Sequence, residues 1–435
     1  MKTISKIFFI ALFICIMIPD LYSQDYWIQQ PSPTTKYLRS IFFTDSLKGW
    51  IGGDSGLIIH TTDKGSTWTT QYTGMQLEIH SIFFVNERKG YALSWEFDAT
   101  PPNYYGTRIL STTNGGLNWS NYLYPDTNLF LNSIYFLDSL KGFTAGSEGK
   151  IYYTTDSGLN WTLSAVDSSQ FFSFPVESIK FVNSVTGYAT GGAFDIAGMI
   201  WKTTNGGFNW RSVIVGPEPV MDLHIFDEMK ILCIGGDFEY GPSRTFTTNA
   251  GVNWTYIEFG ILGIANSIAF RTSNEGWVSL GSVDSLLLTT DGGSSWSLEP
   301  APDGSQIFDI EFTDRRNGWA VGNNGAILKY NSKLININSN NSNIPQSVIL
   351  FQNYPNPFNP STKINYELRI KNYEFVSLKI FDALGREVAV LINQKQNAGR
   401  YEIGFDGSDF PSGIYYYTLT ADGNVIDTKR MVLIK

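Results

Sequence analysis

The sequence has little cysteine, little histidine and little charge, and each shortage excludes a class of protein. It contains two cysteines, Cys15 and Cys233, and three histidines among 435 residues. A disulfide framework or a Cys/His metal centre needs more of these residues, so we predict no cofactor and no metal. Acidic residues outnumber basic ones by 40 to 31, a net charge of −9. Nucleic-acid binding requires a basic face, so we predict no nucleic-acid partner.

Aromatic residues and glycine are abundant instead. Aromatic side chains make up 15% of the sequence and glycine occurs 41 times, whereas charged residues make up only 16%. A chain rich in aromatics and poor in charge buries enough apolar surface to fold. Aromatic and β-branched segments separated by glycine indicate an all-β protein.

The first residues have the features of a leader. Lys2 and Lys6 precede an apolar run over residues 7–18, which Pro19 and Asp20 end. This run is too short to cross a bilayer comfortably, and it has the charge pattern of a signal peptide. We therefore predict a signal peptide over residues 1–23; the alternative is an N-terminal membrane anchor.

A pattern of the form Thr-Thr-Asp/Asn-x-Gly-x-x-Trp occurs six times, and we call each copy a box. The acid or amide side chain suits a turn because it can accept hydrogen bonds from backbone N–H groups just ahead. The glycine suits a positive φ angle, and the tryptophan begins the next strand. We assign structural roles to the six acid or amide positions, which are Asp63, Asn114, Asp156, Asn205, Asn249 and Asp291.

A second pattern, Ser/Asp-Ile-x-Phe, occurs seven times and reads as a strand with Ile and Phe on one face. Its copies begin at Ser40, Ser81, Ser133, Ser178, Asp222, Ser267 and Asp309. The fifth copy is degenerate and has the sequence Asp-Leu-His-Ile. The repeat length of about 45 residues is that of a four-stranded propeller blade. We predict a seven-bladed β-propeller over residues 24–331.

The seventh unit has no box and stops after Tyr330. The segment beginning at Trp27 is similar to the strand that begins at the box residue Trp68, and it precedes the first inner strand by a similar distance. We therefore predict that this N-terminal strand completes the last blade and closes the ring, which removes an open sheet edge.

The boxes resemble the Asp-box, or bacterial neuraminidase (BNR), repeat. The blade pattern as a whole is similar to that of photosystem II stability and assembly factor-like proteins. This resemblance implies a propeller fold but not one activity, because such propellers include hydrolases, receptors and assembly factors.

A linker rich in asparagine and serine over residues 332–347 separates the propeller from a second β-rich module, 348–435, which reads as a small sandwich. The module resembles the type A C-terminal sorting domain of the type IX secretion system of Bacteroidota. The matching segments are the opening at 353–360, Asp382 with the turn at 385–387, Ala398-Gly399, Ser412-Gly413 with Tyr415, and the end from Lys429. The resemblance implies Sec export, a periplasmic stage, the type IX machinery as partner, and a product secreted or held at the outer-membrane surface.

The box acids are not expected to be catalytic. Asp63, Asp156 and Asp291 alternate with asparagines at equivalent positions, and asparagine cannot act as a general acid or base. The Phe-Arg-Ile-Pro motif of sialidases with this fold is also absent from the sequence. We predict no catalytic residues and no enzyme activity.

Three loops in the second, fourth and fifth units are longer than their counterparts, and they mix aromatics with acids. We predict that they cluster on one face and bind a glycan or a protein; the alternative is that they only cover the blade ends. The candidate residues are Trp95, Asp98, Tyr104, Tyr105, Phe194, Asp195, Asp237, Phe238, Glu239 and Tyr240.

The function that follows is a monomeric, secreted binding or scaffold protein. The alternative is a glycan-active hydrolase that uses acids such as Asp98, Asp195 or Asp237. Such an enzyme needs two carboxylates facing each other across a pocket, roughly 5–10 Å apart.

Overall fold

In a computed structural model, the described part of the chain is all-β, as predicted, apart from three single 3-10 turns at Ser147–Gly149, Pro302–Gly304 and Asn323–Gly325. It forms two compact units, with the boundary after Ser332. Among the described residues, no helix has the length and apolarity needed to cross a membrane. The predicted signal peptide, 1–23, and nearly all of the predicted linker lie outside the described residues, which are 26–97, 105–126, 128–167, 173–332, 348–368, 374–383, 385–396, 399–421 and 424–435.

The first unit consists of short strands in a repeating order. Those of its N-terminal half are β1 (Trp27–Gln29), β2 (Leu38–Phe43), β3 (Gly49–Gly53), β4 (Leu57–Thr61), β5 (Thr69–Gln71), β6 (Ile79–Phe84), β7 (Gly90–Phe97), β8 (Tyr105–Thr112), β9 (Ser120–Leu123), β10 (Leu131–Phe136), β11 (Gly142–Gly146), β12 (Ile151–Thr154), β13 (Thr162–Leu163) and β14 (Ala165–Asp167). Those of its C-terminal half are β15 (Val176–Phe181), β16 (Gly187–Ala193), β17 (Ala197–Thr203), β18 (Asn209–Gly216), β19 (Val220–Ile225), β20 (Ile231–Asp237), β21 (Gly241–Thr247), β22 (Thr255–Glu258), β23 (Ala265–Phe270), β24 (Gly276–Leu280), β25 (Ser285–Thr289), β26 (Ser297–Pro300), β27 (Ile307–Phe312), β28 (Gly318–Gly322) and β29 (Ile327–Tyr330).

These strands form seven sheets, which we number as blades 1 to 7. Blades 1 to 3 are β2–β5, β6–β9 and β10–β13, and blades 5 and 6 are β19–β22 and β23–β26. Blade 4, β15–β18, gains a fifth strand because β14 pairs in parallel with its outer strand β18. In every blade the first strand is the Ser/Asp-Ile-x-Phe segment, whose Ile and Phe positions are buried in most blades and pack between neighbouring blades.

Blade 7 is built from both ends of the propeller sequence, as predicted. Strands β27 to β29 supply three strands, and β1 pairs antiparallel with β29 so that Trp27 faces Tyr330. Trp27 is only 4% exposed. Its ring lies 5.5 Å from that of Trp277 in blade 6 and 5.6 Å from that of Phe312 in blade 7, measured between centroids. The N-terminal strand therefore closes the ring with a buried aromatic contact.

The acid and amide side chains of the boxes stabilise their turns by accepting hydrogen bonds, which does not require a negative charge. In the first box, Oδ1 of Asp63 accepts hydrogen bonds from the backbone N–H of Thr67 and the hydroxyl of Thr61, both at 2.8 Å. The bond from the backbone four residues ahead recurs in all six boxes at 2.8–3.0 Å, with either aspartate or asparagine as acceptor. Both residue types carry the required acceptor, which explains their exchange.

Box turns also connect neighbouring blades. Trp50 of blade 1 donates its indole N–H to the carbonyl of Gly115, in the box of blade 2, at 3.1 Å. Trp319 of blade 7 donates to Lys64, in the box of blade 1, at 3.2 Å. The tryptophan that follows the first glycine of the second strand in blades 1 and 7 is therefore held by the next blade as well as by its own.

The strands of the second unit are β30 (Val348–Leu350), β31 (Ser361–Leu368), β32 (Glu374–Asp382), β33 (Glu387–Gln396), β34 (Gly399–Asp406), β35 (Gly413–Ala421) and β36 (Asn424–Leu433). They form a sandwich of two sheets, with strand orders β30-β31-β34 and β33-β32-β35-β36. Its core includes Ile364, Leu378, Tyr417 and Met431, all fully buried.

Candidate functional site

The three long loops join the second and third strands of their blades. The hairpin of blade 2 extends to the pair Phe97 and Tyr105, that of blade 4 to Ala193 and Ala197, and that of blade 5 to Asp237 and Gly241. Each third strand runs from its loop to the box position. The loops therefore lie at the end of the blades opposite the boxes, which we call the loop face.

Trp95 in the blade 2 loop packs against blade 3 rather than being exposed to solvent. It is half-buried, and its indole N–H donates to the carbonyl of Leu131 in blade 3 at 2.9 Å. Its ring lies 4.6 Å from that of His80 and 5.9 Å from that of Phe130. Asp98 and Tyr104 lie outside the described residues, and only the backbone position of Tyr105 is described.

The aromatic side chains in the long loops of blades 4 and 5 are exposed to solvent. Phe194 is 49% exposed, Phe238 69% and Tyr240 52%. In blade 5, Oδ1 of Asp237 accepts a hydrogen bond from the backbone N–H of Tyr240 at 2.6 Å and so holds the loop in shape. Glu239 is exposed between the two aromatic residues.

These two loops also bring carboxylates together. Asp195 of blade 4, Asp237 of blade 5 and Glu218 place carboxylate oxygens within 4.8 Å of one another. Burial raises the pKa of Glu218, and the negative charges of Asp237 and Asp195 add to the rise. Oxygen ligands of this kind suit a hard cation.

Sequence reasoning missed Glu218 because it lies between Pro217 and Pro219, in the crossover from blade 4 to blade 5 rather than in a long loop. It is buried, and its carboxylate accepts a hydrogen bond from the backbone N–H of Asp195 at 3.2 Å. In the sequence, the one feature that sets this acid apart is its position between two prolines.

We expect Trp95→Ala to destabilise the propeller, because the change removes both packing and a hydrogen bond. The loss in free energy of unfolding should be about 2–4 kcal/mol. Tyr240→Ala, at an exposed loop position, should cost less than about 0.5 kcal/mol. Urea unfolding of both variants measures the difference, and equal losses would show that Trp95 is not held by blade 3.

The inner strands surround a cavity of about 370 Å³ on the propeller axis. Hydrogen bonds that involve side chains connect neighbouring inner strands around it. Asp309 of blade 7 accepts a hydrogen bond from the backbone N–H of Ile41 in blade 1 at 2.9 Å. Ser40, Ser133, Asp222 and Ser267 accept equivalent bonds from the next inner strand along the ring at 3.1–3.3 Å.

This role for the first residue of the Ser/Asp-Ile-x-Phe pattern was also missed. The sequence pattern predicts that Ile and Phe share one face of the strand. It does not predict that the polar residue accepts a hydrogen bond from another inner strand, some forty residues away in the case of Ser40. Ser and Asp share an acceptor oxygen, which explains their exchange, as in the boxes.

Charges in the cavity are unevenly compensated. Lys180 lies 2.8 Å from the carboxylate of Asp222. Burial raises the pKa of Asp309 to about 6 and that of Glu177 to about 7, and it raises the pKa of Glu311 well above its usual value. Burial also lowers the pKa of His80 to about 4, so this imidazole is neutral.

Two family models match separate parts of the chain. Residues 227–331 match "Photosynthesis system II assembly factor YCF48", and residues 352–435 match "Secretion system C-terminal sorting domain". The chain therefore carries a YCF48-like BNR propeller followed by a secretion sorting domain, as predicted.

Curated relatives are similar over the propeller. The chain is 26% identical to the chloroplastic photosystem II stability/assembly factor HCF136 of Arabidopsis thaliana over 65% of this chain and 61% of the relative. It is 25% identical to the photosystem II assembly lipoprotein Ycf48 of Nostoc sp. over 76% of this chain and 95% of the relative. The chain thus spans about three fifths of the length of the Arabidopsis protein.

Solved structures show the same fold. The structure of YCF48 bound to a D1 peptide is 22% identical with a TM-score of 0.56, covering 71% of this chain and 97% of that one. The GH74 enzyme of Niastella koreensis is 12% identical with a TM-score of 0.54, covering 93% of this chain and 67% of that one. At these identities the likeness concerns the propeller architecture alone.

Proposed function

We propose that this protein is a non-enzymatic, monomeric propeller that binds an extended segment of a partner protein on its loop face. It is exported first by the Sec pathway and then by the type IX secretion system. The sorting domain supports export to the cell surface or beyond. The relatives with similar propellers carry the names of assembly factors, and one solved relative holds a peptide.

One observation carries the choice of the loop face. Phe194, Phe238 and Tyr240 are exposed around the carboxylates of Asp195 and Asp237. Exposed aromatics beside polar groups are typical of a recognition surface, and aromatic anchors dominate binding energy at interfaces. The carboxylates favour a protein over a neutral glycan, because lysine and arginine side chains offer the opposite charge.

We expect Phe238→Ala and Tyr240→Ala each to weaken partner binding by about 1–3 kcal/mol with little effect on stability. Tyr72→Ala, which removes an exposed tyrosine after the outer strand of blade 1, is the matched control. Binding is measured with the full chain against envelope and culture-medium proteins, with a glycan array in parallel. Undiminished capture by both loop variants, or binding of glycans alone, would contradict the proposal.

A hydrolase remains the second candidate, because Asp195 and Asp237 approach each other within 4.8 Å. The paired carboxylates of retaining glycosidases are about 5–5.5 Å apart. However, Asp237 is buried and already accepts a bond from Tyr240. Glycan hydrolysis by the wild-type chain that is lost in both Asp195→Asn and Asp237→Asn would favour the enzyme.

A further inference from the structure

Three polar side chains line the loop-face end of the axial cavity at equivalent positions of adjacent blades. His80, Asn132 and Glu177 each precede the serine of the inner-strand pattern in blades 2, 3 and 4. Each is the extra residue of a β-bulge, where the pairing skips one position of the inner strand. A bulge re-aims side chains, and it recurs at this position in every blade. We call these three residues the acceptor rim.

His80 presents a lone pair. Its Nε2 lies 2.8 Å from the carbonyl oxygen of Leu131. A carbonyl can only accept, so Nε2 carries the hydrogen and donates. Because the ring is neutral, Nδ1 is an acceptor, and this buried atom has no hydrogen-bond partner among the described residues.

Asn132 and Glu177 also present acceptors. The amide nitrogen of Asn132 donates to the carbonyl of Val176 at 3.1 Å and to Oε2 of Glu177 at 2.9 Å. Both amide hydrogens are thus used, which leaves the Asn132 amide oxygen as an acceptor. Glu177 accepts one of these bonds and retains further acceptor capacity on its carboxylate.

The cations close to the rim are already paired. Arg39, at the equivalent position in blade 1, lies 2.9 Å from Asp54 and 3.5 Å from Glu78. Lys180 lies 2.8 Å from Asp222. Among the described residues, the carboxylate of Glu177 is hydrogen-bonded to the neutral amide of Asn132 and forms no ion pair.

The inner strands of blades 1 to 3 provide an aromatic wall in this cavity. The rings of Phe42 and Phe83 are 4.8 Å apart, and those of Phe83 and Tyr135 are 5.3 Å apart. All three residues line the same cavity as the rim. The site combines acceptor atoms from three blades, the carboxylate of Glu177 and an apolar wall.

We propose that the acceptor rim binds the guanidinium or ammonium group of a basic side chain. This inference rests on the proposed function, because the side chain belongs to the partner segment. A guanidinium offers five N–H donors, and its stem and plane pack against aromatic rings. The cavity volume of about 370 Å³ accommodates one such side chain. Arginine fits this combination better than lysine, because the acceptors are spread over three blades.

The test uses the full chain and a synthetic peptide, Ala-Ala-Arg-Ala-Ala, compared with the same peptide carrying citrulline. Citrulline keeps the shape of arginine without its charge. Calorimetry at pH 8 keeps Glu177 ionised, because its pKa is about 7. We expect the arginine peptide to bind at least tenfold more tightly, and Glu177→Gln to abolish that difference. Free argininamide is measured in a further arm. Its affinity distinguishes binding of a free small molecule that carries a guanidinium from binding of a guanidinium on a peptide.

The matched control is Glu311→Gln, which changes another carboxylate of the same cavity beyond the rim and should leave the peptide affinity unchanged. Glu177→Gln keeps an oxygen for Asn132, so its melting temperature should match the wild type. Equal binding of both peptides, no binding of the arginine peptide, or an unaffected Glu177→Gln variant would overturn the inference. Partner capture that is intact in Glu177→Gln but lost in Tyr240→Ala would overturn this inference while leaving the proposed function standing.

Discussion

Replacing Trp27 by alanine is expected to lower the free energy of unfolding by about 3–5 kcal/mol, the usual cost of removing a buried tryptophan. The side chain is 4% exposed, and it contacts Trp277, Phe312 and Tyr330 from two blades. It lies on the three-residue strand β1, which alone completes blade 7. The change therefore weakens the seam at which the ring closes.

Ile28→Ala is the control for this prediction, because Ile28 lies on the same strand but is exposed. Its cost should remain within about 0.5 kcal/mol. Urea unfolding followed by tryptophan fluorescence measures both variants. An unchanged transition midpoint for Trp27→Ala would mean that β1 contributes little to closure.

Deleting residues 348–435 is expected to leave a folded propeller that is retained in the periplasm. The sorting domain provides the export signal, whereas the strands that close the ring lie between Trp27 and Tyr330. Cell fractionation and the melting temperature of the truncated protein measure the two parts of this prediction.

The complementary control attaches residues 348–435 to an unrelated periplasmic protein, which should then reach the surface or the medium. Normal appearance of the truncated protein outside the cell would show that the export information lies in the propeller. A truncated protein that fails to fold would show that the propeller depends on the sorting domain.

The architecture was predictable from the sequence because its determinants are local and repeated. A box is complete within eight residues, and its hydrogen bonds join positions two to four residues apart. Ring closure was predictable for a related reason: the segment at Trp27 repeats the strand that follows a box in other units. Periodicity also revealed the missing box of blade 7.

The environment of single side chains was not predictable in the same way. Trp95 was expected to be exposed because its loop is long, yet its partners Leu131 and Phe130 come from the next blade. The acceptor rim and Glu218 were missed because each blade contributes one residue and the residue types differ between blades. No local pattern marks such a site, since the residues meet only when the blades are arranged around the axis.

Site-specific photo-crosslinking shows whether the secreted propeller holds a partner protein against its loop face. A photoreactive amino acid is placed at Glu239, between Phe238 and Tyr240, or at Leu117, an exposed residue of the blade 2 box on the opposite face. We expect a protein of the cell envelope or medium to be crosslinked from position 239 and not from 117, and Tyr240→Ala to reduce the yield. Crosslinking from position 117 alone, or equal yields from both positions, would contradict this expectation.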